Sequence, residues 1–144
     1  MKIISAIVLV LLLNGCSGES KINSQKPDKS LNATWIAEYI NGISITSDSE
    51  TGPEKLPQLE INMEELKYTG NDGCNNIFGG ITELDQEILV FGMGAGTRMM
   101  CQNMEIPDLF NQTLPRVASY KIKKNKLHLF DKEGNELMQF KLNL

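Results

Sequence analysis

The chain lacks a histidine-based acid–base set. His128 is its only histidine, and a lone strand histidine with no nucleophile signature beside it is a poor general base. It lacks a basic excess as well: 14 Lys and Arg stand against 18 Asp and Glu, for a net charge of −4. That excludes the electrostatic footprint of a nucleic-acid binder and charge-driven docking on anionic lipid. The one basic cluster, Lys121, Lys123, Lys124 and Lys126, straddles an expected turn and reads as solvated. No C-x-x-C pair is present, which argues against a thioredoxin-like redox centre. Gly92-x-Gly94-x-Gly96 has the wrong third spacing for a dinucleotide fingerprint and opens no helix after a strand, so it reads as a flexible loop. Residues 71–76 carry side-chain oxygens without calcium-loop spacing or a terminal glutamate. They read as a turn whose Asn and Asp side chains bond nearby backbone. There is no internal repeat.

The apolar run from Ile3 to Leu13 is too short to cross a membrane, which takes about 20 residues. It has another reading. Lys2 precedes it and Leu13-Asn14-Gly15-Cys16 follows, the layout of a secretory signal peptide with a cysteine directly after the cut. Residues 1–15 are expected to be removed and Cys16 to carry lipid, as in bacterial lipoproteins. Two or more acyl chains anchor stably, because each buried methylene contributes about 0.8 kcal/mol. Ser17 offers no acidic retention signal, so the expected address is the outer membrane, facing the periplasm. Residues 16–30 are the lipidated cysteine and a polar tether, and 31–144 form one domain.

With Cys16 assigned to lipid, Cys74 and Cys101 remain as a pair in an oxidising envelope. They read as a disulfide, and two separate buried thiols are the plainer alternative. The domain reads as mostly β. Alternation over 34–40 runs into Asn41-Gly42, the strongest short hairpin signal. It places Trp35, Ala37 and Tyr39 on one face and Ile36, Glu38 and Ile40 on the other. Further strands are expected at 43–46, 59–63, 65–69, 76–84, 87–91, 118–123, 126–131 and 136–142. A helix is expected over 105–117, ending or kinking near Leu114 because Pro115 does not suit an interior. The class is α+β.

Gly70-Asn71-Asp72-Gly73-Cys74-Asn75, then Thr97-Arg98-Met99-Met100-Cys101, then the helix and a meander ending in Leu127-His128-Leu129-Phe130-Asp131 follow Trp35 and Asn41-Gly42 in order. That order closely resembles the META domain, the family of the HslJ-type heat-shock lipoproteins, over about residues 31–142. The resemblance implies a twisted antiparallel sheet closed into a conical half-barrel with one packed helix. It further implies an envelope protein of stress tolerance with no known enzyme activity. That fold is similar to the lipoprotein pilotins, which bind acyl chains or partner peptides.

No catalytic set, cofactor or metal site is expected, and the domain is taken as a monomer. Binding is assigned to Arg98, Thr97 and Asn75: an arginine fork beside glycines can meet a carboxylate or phosphate, or can tie down loop carbonyls instead. The partner is an envelope protein or a small hydrophobic ligand, the latter in a space lined by Leu109, Phe110, Leu114, Ile77 and Phe91. Met93, Met99, Met100, Cys101 and Met104 supply soft ligands of the kind that select Cu(I). The plainer reading is that these methionines fill gaps in the core.

Overall fold

The computed structural model describes residues 26–46 and 55–144. The signal segment 1–15, Cys16, Ser17, the first part of the tether and most of the polar loop 47–57 lie outside the described residues. Among the described residues nine antiparallel strands form one sheet: β1 (Thr34–Ile40), β2 (Ile43–Ser44), β3 (Gln58–Asn62), β4 (Lys67–Asn71), β5 (Asn76–Leu84), β6 (Leu89–Gly96), β7 (Ser119–Lys123), β8 (Lys126–Phe130) and β9 (Glu136–Leu142). The order across the sheet is β6-β5-β4-β3-β1-β9-β8-β7, with β2 beside β1. The one α-helix among the described residues, α1 (Glu105–Thr113), continues as a 3-10 turn over Leu114–Arg116. This is the expected α+β class, a curled half-barrel with a single helix.

The hairpins follow from their turns. Asn41 and Gly42 take φ of 42° and 97°, and Lys124 and Asn125 take 49° and 60°. Positive φ at both central residues matches the right-handed twist of the flanking strands. Alternation then sorts the faces. Leu127 and Leu129 are buried while Lys126, His128 and Phe130 lie half-exposed on the outer face. In β1 the alternation breaks. The ladder with β9 shifts register between Ala37 and Tyr39, and the bulge turns Ile40 into the core beside Trp35 and Ala37. Ile40 therefore does not share the outer face with Ile36 and Glu38.

The two edge strands meet at one end only. Ile88 bridges Ser119, Leu89 N–H donates to Ala118 O at 3.3 Å, and Tyr120 N–H donates to Glu87 O at 2.8 Å. Toward Gly96 the seam opens, and α1 sits there. Phe110, fully buried, meets Phe140 of β9 edge to face with centroids 6.4 Å apart. Ile106 and Leu114 bury beside it, so the helix plugs the barrel through one apolar stripe. Among the described residues, packing reaches back to Asp28, three residues ahead of the boundary that composition suggests. Asp28 N–H donates to Tyr120 Oη at 3.1 Å, its side chain caps the turn Lys29–Leu31, and Trp35 Nε1 donates to Leu31 O at 3.1 Å.

The segment 92–96 is strand, not loop. Glycine has poor strand propensity, and the cause here is tertiary. A Cβ on Gly94 would lie 2.2 Å from Tyr68 Oη, and one on Gly79, its cross-strand partner, 2.6 Å from the same ring. Tyr68 is buried and meets Phe91 edge to face at 5.1 Å. The paired glycines are the space the phenol occupies.

Candidate functional site

Where the seam opens, an open cleft of about 850 Å³ lies between β6 and α1. Its apolar floor includes Tyr68, Ile77, Phe91 and Leu114. One side is β6 and the segment running on to Met100; the other is Met104, Asp108, Asn111 and Pro115.

The turn after β4 holds the cleft's end. Asp72 is buried, and its Oδ1 accepts from Cys74 N–H at 2.9 Å and Asn75 N–H at 2.6 Å. Its Oδ2 accepts from Asn111 Nδ2 at 2.7 Å, which ties α1 to the turn. Asn71 Oδ1 accepts from Gly73 N–H at 3.1 Å. Asn75, also buried, reaches across the sheet: its Oδ1 accepts from Thr97 Oγ1 at 3.0 Å and Met99 N–H at 2.6 Å. Thr97 Oγ1 accepts in turn from Asn76 N–H at 3.1 Å. A disulfide joins Cys74 and Cys101, with Cα atoms 6.0 Å apart. The turn is thus fastened to residues 97–101 by one amide, one hydroxyl and one covalent bond, and to α1 by one carboxylate.

Of the three residues assigned to binding, the structure gives Asn75 and Thr97 internal partners, so their polar groups already fasten the turn. Arg98 differs: it is exposed on the cleft and has no hydrogen-bond or ion-pair partner among the described residues. Within the expected ligand space, Ile77, Phe91 and Leu114 line the cleft, but Phe110 is spent in the core and Leu109 packs against that core. Three methionines expected as core filler stand on the surface: Met93 is 97% exposed, Met100 88% and Met99 48%. With Met104 they line the cleft, while the sulfur of Cys101 is committed to the disulfide.

His128 lies elsewhere, on the outer face of β8, with Nδ1 2.6 Å from Glu136 Oε1 and its ring stacked near Phe130. Asp131, in the β8–β9 turn, is held below the ordinary 3.8, first by the Asn135 side chain and then by the backbone N–H groups of Asn135 and Glu133. Burial pushes the Tyr68 phenol up. Among the described residues no three His, Cys, Asp or Glu side chains gather as a metal site would need. Tyr68, Asp72 and Asn111 were not singled out as site residues from the sequence. Asp72 was visible as a turn residue, but nothing in the chain pairs it with a helix asparagine 39 positions away.

A curled half-barrel plugged by a helix, with a cleft held at the seam, defines a small α+β domain. The chain belongs to the META domain family, whose model matches residues 29–143. An NMR structure of a protein 26% identical is similar to it with a TM-score of 0.58, covering 78% of this chain and 90% of that one. Two more distant structures share the fold. One, an NMR structure of a protein from Burkholderia xenovorans, is 18% identical with a TM-score of 0.59, covering 88% of this chain and 96% of that one. The other, a crystal structure of a DUF4847 family protein from Bacteroides vulgatus, is 14% identical with a TM-score of 0.51, covering 80% and 95%. No curated protein matches the chain.

Proposed function

We propose that this is a lipid-anchored protein of the bacterial envelope whose META domain binds rather than catalyses, in the manner of the HslJ-type stress lipoproteins. One observation carries the binding reading: an 850 Å³ cleft with an apolar floor and exposed methionines on its sides. Exposed apolar side chains beside a concave apolar surface mark interaction sites. The anchor rests on Lys2, the short apolar run and Cys16, and the address is the outer membrane facing the periplasm. Among the described residues no helix is long and apolar enough to cross a membrane. The ligand is a small hydrophobic molecule or an apolar segment of an envelope protein. A second reading has its own observation: four methionines on one cleft offer the thioethers that Cu(I) favours.

Native mass spectrometry of the full chain, extracted from envelopes in detergent, tests both parts. The expected species carries diacylglycerol on Cys16 and a noncovalent adduct that Met104→Trp displaces. Absence of acyl mass removes the anchor. An adduct indifferent to Met104→Trp removes the cleft as the binding site, and an adduct with the mass of copper selects the second reading.

A further inference from the structure

Past Leu89, whose N–H bonds Ala118 O, β6 pairs on one side only, with β5. Thr97 N–H donates to Asn76 O at 3.0 Å, so position 97 faces β5. The register Phe78↔Ala95 makes Ala95 face β5 too. Antiparallel ladders alternate, so the N–H and C=O of Gly94 and Gly96 point to the open edge. The missing side chains would point inward, toward Tyr68 Oη at Gly94 and Asn76 O at Gly96.

Open edges invite pairing, and proteins blunt them with lysine, proline or a covering element. The far edge of this sheet, β7, has two exposed lysines, Lys121 and Lys123. The segment 92–97 has no proline and no charge. It borders the cleft, and the apolar side chains of Phe78 and Met93 stand exposed beside it. Two residues beyond Gly96 stands Arg98, an arginine without a side-chain partner among the described residues. Bare outward amides recognise an extended backbone, the apolar floor takes alternate side chains, and a free guanidinium selects a carboxylate.

We propose that the β6 edge at 94–98 is the docking site for an extended, acid-bearing segment of an envelope partner protein, added to the sheet as a further strand. This rests on the binding reading above and names its partner class.

The test is amide hydrogen exchange on the full chain in detergent micelles. The probe is an acetylated, amidated heptapeptide alternating valine and threonine around one central glutamate. At free peptide about ten times Kd, exchange at Gly94 and Gly96 is expected to slow about tenfold. Two further peptides carry N-methyl groups on alternate sets of amides. The set that faces β6 is expected to abolish protection and the other to keep it. Arg98→Gln is expected to weaken the glutamate peptide about three- to fivefold and to leave its glutamine counterpart unchanged.

Equal protection by both methylated peptides overturns strand docking. So does a shift of Phe91 and Leu114 signals without protection at Gly94 and Gly96, although cleft binding then survives. No response anywhere in the cleft at millimolar peptide removes both readings. Protection that grows with protein concentration and needs no peptide replaces the partner with a second copy of this chain.

Discussion

One methyl group at Gly94 tests how the open edge is built. Its Cβ would sit 2.2 Å from Tyr68 Oη, a separation no relaxed structure keeps. The phenol has little room to yield. It is 4% exposed, Gly79 closes on it from the paired strand, and Phe91 lies edge-on at 5.1 Å. Overpacking of this kind costs about 2 kcal/mol, which lowers Tm by about 8 °C for a domain of this size. Tyr68→Phe removes the colliding atom. The nearest remaining contacts of the new methyl are Phe78 O at 3.3 Å and the ring carbon at 3.4 Å. Gly94→Ala in that background is therefore expected to cost under about 0.5 kcal/mol, since alanine also recovers some of glycine's backbone entropy. The coupling energy of the double-mutant cycle is then about 1.5 kcal/mol. Urea unfolding of the oxidised protein reads it through Trp35, the single tryptophan, which is 1% exposed. Equal costs in the two backgrounds would refute the claim that Tyr68 is the reason for the glycines.

Acid stability gives a second expectation. The folded Asp131 carboxyl lies below its ordinary 3.8, so its stabilising effect is complete above that value and fades as pH falls through the lower folded one. Asp131→Asn should flatten the loss of stability between about pH 5 and 2, and identical acid slopes for the two proteins would count against the turn network. The disulfide gives a third. Cys74 and Cys101 are 27 positions apart, and reduction should lower unfolding free energy by about 3.5 kcal/mol in the chain-entropy account. A loss below about 1 kcal/mol would mean that Asn75 and Thr97 already hold the two segments without it.

Local chemistry made much of the sheet legible. Asn41-Gly42 and Lys124-Asn125 need positive φ, and each sits between alternating runs, so both hairpins could be placed from the chain alone. Pro115 likewise announced the end of α1, which passes into a 3-10 turn at Leu114. What stayed hidden depends on distant partners. The bulge that turns Ile40 inward has no signature within β1. The glycines of β6 look like a loop until Tyr68, 26 positions before Gly94, is known to lie across them. Methionine is as apolar on the surface as in a core, so hydropathy could not place Met93 or Met100 on the rim. At the site, the motif Thr97-Arg98 conceals a division of labour. Only the structure shows Thr97 bonded to Asn75 and Arg98 left without a partner among the described residues.

The same division explains why the cleft can exist. A surface gap beside an open sheet edge closes unless something stiffer than side-chain packing holds it. Here the turn is fastened to the end of β6 by Asn75 and the disulfide, and to α1 by Asp72 through Asn111. The helix is fastened separately, by Phe110 against Phe140. Both sides of the cleft are thus positioned before anything enters, so an incoming strand has little of this protein left to order. Asn75 and Thr97, polar groups that could have met a ligand, do the holding instead. In the strand docking proposed above, recognition falls to bare glycine backbone and one arginine.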